Sequence, residues 1–161
     1  MKDFESIIDD YHPIIFKISR SYTDNEDDFQ DLYQEIRIQI WNSLSRFQGR
    51  SQLSTFIYRV ALNTSMVFVR NEKRRRKKVE QAINEYDQTP ESVPDTEPLF
   101  RAIRLLNKDD RSLIILHLEE KSYQEIAEIL GITKSNVGVK LTRIKKKLYT
   151  IIKEESDDGN K

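Results

Sequence analysis

Apolar residues recur along this chain at spacings of three and four rather than two, so the pattern predicts helices throughout. Helix-period segments run from Phe4 to Ile18, Asp28 to Phe47, Leu53 to Arg70, Leu99 to Leu106 and Asp109 to Leu118, with two short helices following between Ser122 and Leu148. Strand signals are weak, and the expected class is all-α. In the segment from Asp28, Phe29, Leu32, Tyr33, Ile36 and Ile40 share one face, while Asp31, Gln34, Glu35, Ile38 and Gln39 share the other. An isoleucine among polar groups marks the outer face as a candidate partner surface. The competing reading is that single surface apolars are ordinary.

The stretch SYQEIAEILGITKSNVGVKLTRIKKKL from Ser122 to Leu148 carries the densest signals. Ser122 and Glu125 have the spacing of a capping box, in which the serine oxygen takes a backbone N–H and the glutamate reaches back. Tyr123, Ile126, Ala127 and Leu130 then form one buried stripe. Gly131 supplies the positive φ that ends a helix, Ile132 fills the corner, and Thr133 caps a second helix. That helix buries Val137, Leu141, Ile144 and Leu148. Its opposite face offers Lys134, Ser135, Asn136, Val139, Lys140 and Arg143, with Lys145, Lys146 and Lys147 beyond, and no acid interrupts Lys134 to Lys153. Such a helix-turn-helix suits the major groove, where Asn pairs with adenine, Arg or Lys with guanine, and later cations meet phosphates. A solvated basic face on an ordinary helical hairpin is the plainer alternative.

Charge changes the picture for the first half. Basic and acidic residues balance at 27 each over 161 residues, yet they are segregated. Acids dominate from Met1 to Ile36, whereas from Arg37 to Lys78 the cations Arg37, Arg46, Arg50, Arg59, Arg70 and Lys73 to Lys78 face only Glu72. A basic block of this kind is an electrostatic footprint for phosphates, and a neutral total does not oppose it because fields act locally. Between the halves, Val79 to Pro98 holds Pro90, Pro94 and Pro98 with six acids and no base, which predicts a linker. It reads either as a passive tether or as an acidic mimic of a nucleic-acid strand. The polar end from Glu154 to Lys161 is expected to fray.

Arg46, Phe47, Gln48, Gly49, Arg50 and Ser51 form a short cationic loop ahead of the helix from Leu53. That helix mixes Phe56, Tyr58 and Phe68 with Arg59, Asn63 and Arg70. Aromatics interleaved with cations suit an unpaired strand, whose bases stack on rings while phosphates pair with side chains. The alternative is that Phe56, Val60 and Val67 are core.

The order DLYQEIRIQIW, RFQGRSQLSTFIYRVALN, a basic run, an acidic linker and the helix-turn-helix resembles an extracytoplasmic-function sigma factor of the bacterial sigma-70 family. The resemblance covers about Phe4 to Ile152. It implies two helical domains, 1–78 and 99–155, joined by the linker 79–98 and followed by a disordered tail, 156–161. Asp31, Gln34, Glu35, Ile38 and Gln39 would then dock on the clamp helices of core RNA polymerase. Phe47, Gln48, Gly49, Arg50, Ser51, Phe56, Arg59 and Asn63 would melt the minus-ten promoter element and hold a flipped base, with Arg70, Arg74, Arg75 and Arg76 tracking the backbone. Lys134, Ser135, Asn136, Val139, Lys140 and Arg143 would read the minus-thirty-five duplex while the apolar side of that domain engages the polymerase flap. An anti-sigma protein is a further partner that the resemblance admits. Two departures bear on the strand-binding helix: Phe56 stands where many members have Trp, and Val67 where an acid often stands.

Other chemistry is not indicated. No nucleophile–base pair, phosphate-cradling glycine loop or cofactor motif is seen, the acids near Asp31 have no histidine beside them in sequence, and there is no cysteine, so neither enzyme activity, cofactor nor metal is expected. The lack of thiols suits a reducing interior, and neither an export signal nor an apolar run of the roughly 20 residues that span a bilayer is seen. The expected location is cytoplasmic. Two rivals stay open: an autonomous helix-turn-helix regulator that dimerises on duplex DNA, and a nucleic-acid-processing enzyme using the Asp24 to Glu35 acids.

Overall fold

The computed structural model describes residues 2–82 and 98–159, and their regular elements are helices. In chain order these are α1 Phe4–Ser21, α2 Glu26–Leu44, α3 Leu53–Ala82, α4 Pro98–Arg104, α5 Lys108–Leu118, α6 Tyr123–Leu130 and α7 Lys134–Gly159. The all-helical class read from periodicity is what the chain adopts. Its contacts separate two compact units. The first holds α1, α2 and α3 from Val60 onward; the second holds Ser51–Arg59, including the opening turns of α3, together with α4 to α7.

The first unit is built on isoleucine. Ile7, Ile8, Ile14, Ile15 and Ile18 of α1 are buried, as are Phe29, Leu32, Ile36 and Ile40 of α2, four of the five residues that periodicity placed on one face; the fifth, Tyr33, is half-buried. Both helices start on side-chain caps: Asp3 accepts from the Ser6 N–H and Asn25 from the Asp28 N–H, each at 2.8 Å. Arg20 ties the end of α1 to the start of α2, with its guanidinium 3.8 Å from the Phe29 ring centroid and 3.0 Å from Glu26. The last turn of α2 tightens through i to i+3 bonds, Arg46 N–H to Ser43 and Phe47 N–H to Leu44. The helix therefore ends at Leu44 and not at Phe47.

Helix α3 outruns its expected end at Arg70. Lysine and arginine are good helix formers, so the basic run propagates the helix, and Arg76 relieves its self-repulsion by pairing with Asp28 at 3.1 Å and Asp24 at 3.7 Å. Its buried positions are Thr55, Ile57, Tyr58, Ala61, Leu62 and Ser65; of Phe56, Val60 and Val67, for which the core is the alternative reading, Phe56 and Val60 are half-buried and Val67 is exposed. Of the expected linker Val79 to Pro98, the first four residues continue α3 and Pro98 opens α4, where a missing N–H is harmless. Residues 83–97, with most of the linker acids, lie outside the described residues.

In the second unit Leu113, Ile114, Ile115 and Leu116 of α5 pack with Ile126, Ala127 and Ile129 of α6 and with Val137, Leu141, Ile144 and Leu148 of α7. The turn is built as the sequence predicts. Ser122 accepts from the Glu125 N–H at 3.1 Å, Gly131 takes φ 69°, and Thr133 Oγ1 accepts from the Asn136 N–H at 3.2 Å. Two details differ. The Glu125 carboxylate lies 3.7 Å from Lys121 Nζ, and Ile129 is buried in place of Tyr123, because α6 is covered by both α5 and α7 and so buries more than one narrow stripe. The end expected to fray from Glu154 continues α7 through Gly159, with Glu155 3.8 Å from Arg101 of α4.

Candidate partner and nucleic-acid interfaces

In the first unit, one turn of α2 after another places Asp31, Gln34, Glu35, Ile38 and Gln39 along a single groove. The facing wall is α3, through Asn63, Thr64, Val67, Phe68, Asn71 and Glu72. Ile38 is 51% exposed although it sits between half-buried neighbours, and Val67 across the groove is 44% exposed. Gln39 donates to the Glu35 carboxylate at 2.8 Å, which fixes the polar rim. The arrangement is an apolar floor ringed by amides and carboxylates, a form suited to a protein partner. Sequence reasoning found the α2 wall and missed Thr64, Val67, Phe68 and Asn71 on this surface. An exposed valine on the helix face carrying Asn63 was the available signal.

Asn63 thus lines the same groove as the five α2 residues, whereas the other residues proposed for an open strand do not form one site within either unit. Phe47, Gln48, Gly49 and Arg50 belong to the first unit, where Gly49 turns the chain with φ 70°. Ser51, Phe56 and Arg59 belong to the second. Arg59 Nε donates to the Ile129 carbonyl at 3.3 Å and its Nη2 to the Glu128 carbonyl, so this cation caps the carbonyl end of α6, where the helix dipole favours positive charge. Tyr58, read as a stacking aromatic, is buried beneath Lys121, whose Nζ is 4.9 Å from the ring centroid.

The basic run on α3 is likewise not uniform. Arg76 is committed to Asp28 and Asp24, and Arg75 lies 3.2 Å from Glu72. Arg70 and Arg74 are exposed.

On α7, Lys134, Ser135, Asn136 and Val139 are exposed, Val139 by 71%, and Lys140 is half-buried beside them. Arg143 departs from the expected set: its Nη2 lies 3.5 Å from Oδ1 of Asp110 on α5, and Lys147 one turn on lies 3.4 Å from Oδ2 of the same carboxylate. The positive field reaches His117, whose pKa is pushed down first by partial burial and then by the charge of Lys145. Among the described residues no group of three or more metal-ligating side chains converges, and no helix is long and apolar enough to cross a membrane.

Comparison with known proteins gives two adjacent matches. Residues 7–75 match sigma-70 region 2 and residues 96–148 match sigma-70 region 4. The RNA polymerase sigma factor YlaC of Bacillus subtilis (strain 168) is 31% identical over 171 residues, covering 96% of this chain and 98% of that protein. The ECF RNA polymerase sigma factor SigE of Mycolicibacterium smegmatis is 22% identical, covering 98% of this chain and 65% of the relative. Among solved structures, the sigma factor RpoE in complex with the anti-sigma factor NepR from Bartonella quintana has a similar fold, with TM-score 0.71, 22% identity and coverage of 95% and 98% of the two chains.

Proposed function

The chain belongs to the extracytoplasmic-function branch of the sigma-70 family, and from that premise we propose how its surfaces divide the work of starting transcription. As a member it is an initiation factor that binds core RNA polymerase and promoter DNA and directs the one to the other. The residue assignments that follow are the proposal. The α2/α3 groove around Ile38 docks on the polymerase clamp helices, with Asp31, Gln34, Glu35 and Gln39 as its polar rim and Val67 and Phe68 completing the apolar floor. The observation that carries this is the convergence of all five α2 residues on one groove that an exposed isoleucine lines. The loop residues Phe47, Gln48, Gly49 and Arg50 of the first unit capture the minus-ten strand, whereas Arg59 is taken up by the α6 carbonyls and leaves that set. Lys134, Ser135, Asn136, Val139 and Lys140 face the minus-thirty-five duplex. The polymerase supplies catalysis and this chain supplies positioning, so no activity of its own is assigned. An anti-sigma protein and the polymerase flap remain proposed partners.

Two regions in this order favour an initiation factor over an autonomous dimeric regulator, which needs only the helix-turn-helix. The test is transcription from fragmented genomic templates by purified core polymerase, with and without the chain. Discrete new start sites are expected only with it; an unchanged transcript pattern would defeat the reading.

The structure also sorts the cations of α3. Arg74→Ala is expected to weaken binding across DNA sequences and lower the salt slope of holoenzyme binding by about 1, as loss of one phosphate contact requires. Arg76→Ala is expected to leave that slope nearly unchanged and instead to lower the melting temperature, because it removes the cation beside Asp28, whose side chain is only 14% exposed, and leaves the Asn25 amide at 2.9 Å as a neutral donor. Equal slopes for the two variants would show that the ion pairs do not hold in solution.

A further inference from the structure

From Lys134 to Lys153 the sequence of α7 contains no acid, so read alone it is an uncompensated strip of positive charge. The fold brings one acid to it. Asp110, in the first turn of α5, is 3% exposed, and its two carboxylate oxygens face different α7 cations, Arg143 Nη2 at 3.5 Å and Lys147 Nζ at 3.4 Å. Part of this has a local explanation: Asn107 caps α5 by accepting from the Asp110 N–H at 2.9 Å, its amide donates back to Oδ2 at 3.2 Å, and a helix amino terminus favours an acid. Capping accounts for Asp110 on α5. It does not account for cations from two successive turns of another helix meeting at one buried carboxylate.

We propose that Asp110 is a positioning residue for duplex recognition: it holds Arg143 and Lys147 toward α5 and so limits how many α7 cations can meet phosphates. The carboxylate is buried while its partners are about half exposed, with side-chain exposures of 58% for Arg143 and 48% for Lys147. Water therefore screens the acid poorly, and the acid anchors the pair. The consequence concerns specificity more than affinity. Phosphate contacts carry no sequence information, and each one added strengthens promoter and non-promoter binding alike. Taking Arg143 and Lys147 out of that set leaves Lys134, Asn136 and Lys140 at the leading end of α7 to decide the interaction. This inference rests on the reading that the exposed face of α7 meets duplex DNA.

The test uses the full chain and a roughly 30-base-pair duplex of random sequence, with binding followed by fluorescence anisotropy over a salt series. Asp110→Asn, which keeps the shape and removes the charge, is expected to tighten binding on the order of three- to tenfold at low salt and to steepen the salt slope by about 1 to 2, as for one or two released cations. The gain is expected to vanish when Arg143→Ala and Lys147→Ala are added. In the native background the Arg143→Ala, Lys147→Ala pair is expected to leave the slope unchanged, while Lys140→Ala lowers it by about 1. That pair decides the matter even if Asp110→Asn melts. A slope lowered by the pair as much as by Lys140→Ala, or a folded Asp110→Asn with the native slope, would overturn the role of Asp110. A native slope in Lys140→Ala as well would remove the α7 face from the DNA interface, and the inference would fall with the reading beneath it.

Discussion

Ile38→Asp is expected to weaken holoenzyme assembly by roughly a hundredfold or more while the protein stays folded. Ile38 is half exposed in the free chain, so replacing it removes little core packing; the cost to α2 is the lower helix propensity of aspartate, about 0.5 kcal/mol. Ile38 lines the α2/α3 groove, and the proposed docking buries it there, where a dry interface concentrates binding energy. Truncating such a residue typically costs 2 kcal/mol or more, about thirtyfold, and burying an unpaired carboxylate there adds several kcal/mol. Ile38→Ala should therefore fall between the native protein and Ile38→Asp. Titrating labelled chain with core polymerase, beside a thermal melt, separates the two effects. Native affinity in a folded Ile38→Asp variant would move the docking site off this groove.

Leu141→Ala is expected to have the largest effect on the second unit. Leu141 is 1% exposed, in line with Val137, Ile144 and Leu148 on the inner face of α7. Deleting a buried leucine typically costs about 2–5 kcal/mol, from lost transfer energy and the cavity left behind. In so small a unit each kcal/mol shifts melting by about 4–8 °C, so a fall of roughly 15 °C is expected by calorimetry. Duplex binding near that temperature should fail with the fold, although Leu141 lies in the core and not on the face proposed to meet DNA. Lys140→Ala, one residue earlier, should do the reverse: its melting stays close to native and its duplex affinity drops. A Leu141→Ala protein that melts like the native chain would contradict the packing of α7.

The helix-turn-helix was legible because its signals are local. Ser122, Gly131 and Thr133 act on atoms within a few residues, and the α7 stripe repeats with the pitch of the helix itself. The outer face of α2 was legible for the same reason, since Ile38 stands out against its own neighbours. Periodicity failed where burial is not one-sided. α6 lies under both α5 and α7, so Ile129 is buried and Tyr123 is left 39% exposed. On α3 the core is the alternative reading for Phe56, Val60 and Val67, whereas the apolar residues buried are Ile57, Tyr58, Ala61 and Leu62.

Sequence by itself determined that this chain is helical, where its helix-turn-helix is capped and turned, and which helix surfaces carry charge, because caps, turns and helical period are set by neighbours along the chain. Only the tertiary structure decided which charges on those surfaces are free. Asp110 and Arg143 are 33 residues apart and Asp28 and Arg76 are 48 apart, and Arg59 reaches a carbonyl 70 residues away. Ion pairs of that reach depend on how whole helices pack, and no period in the sequence encodes it.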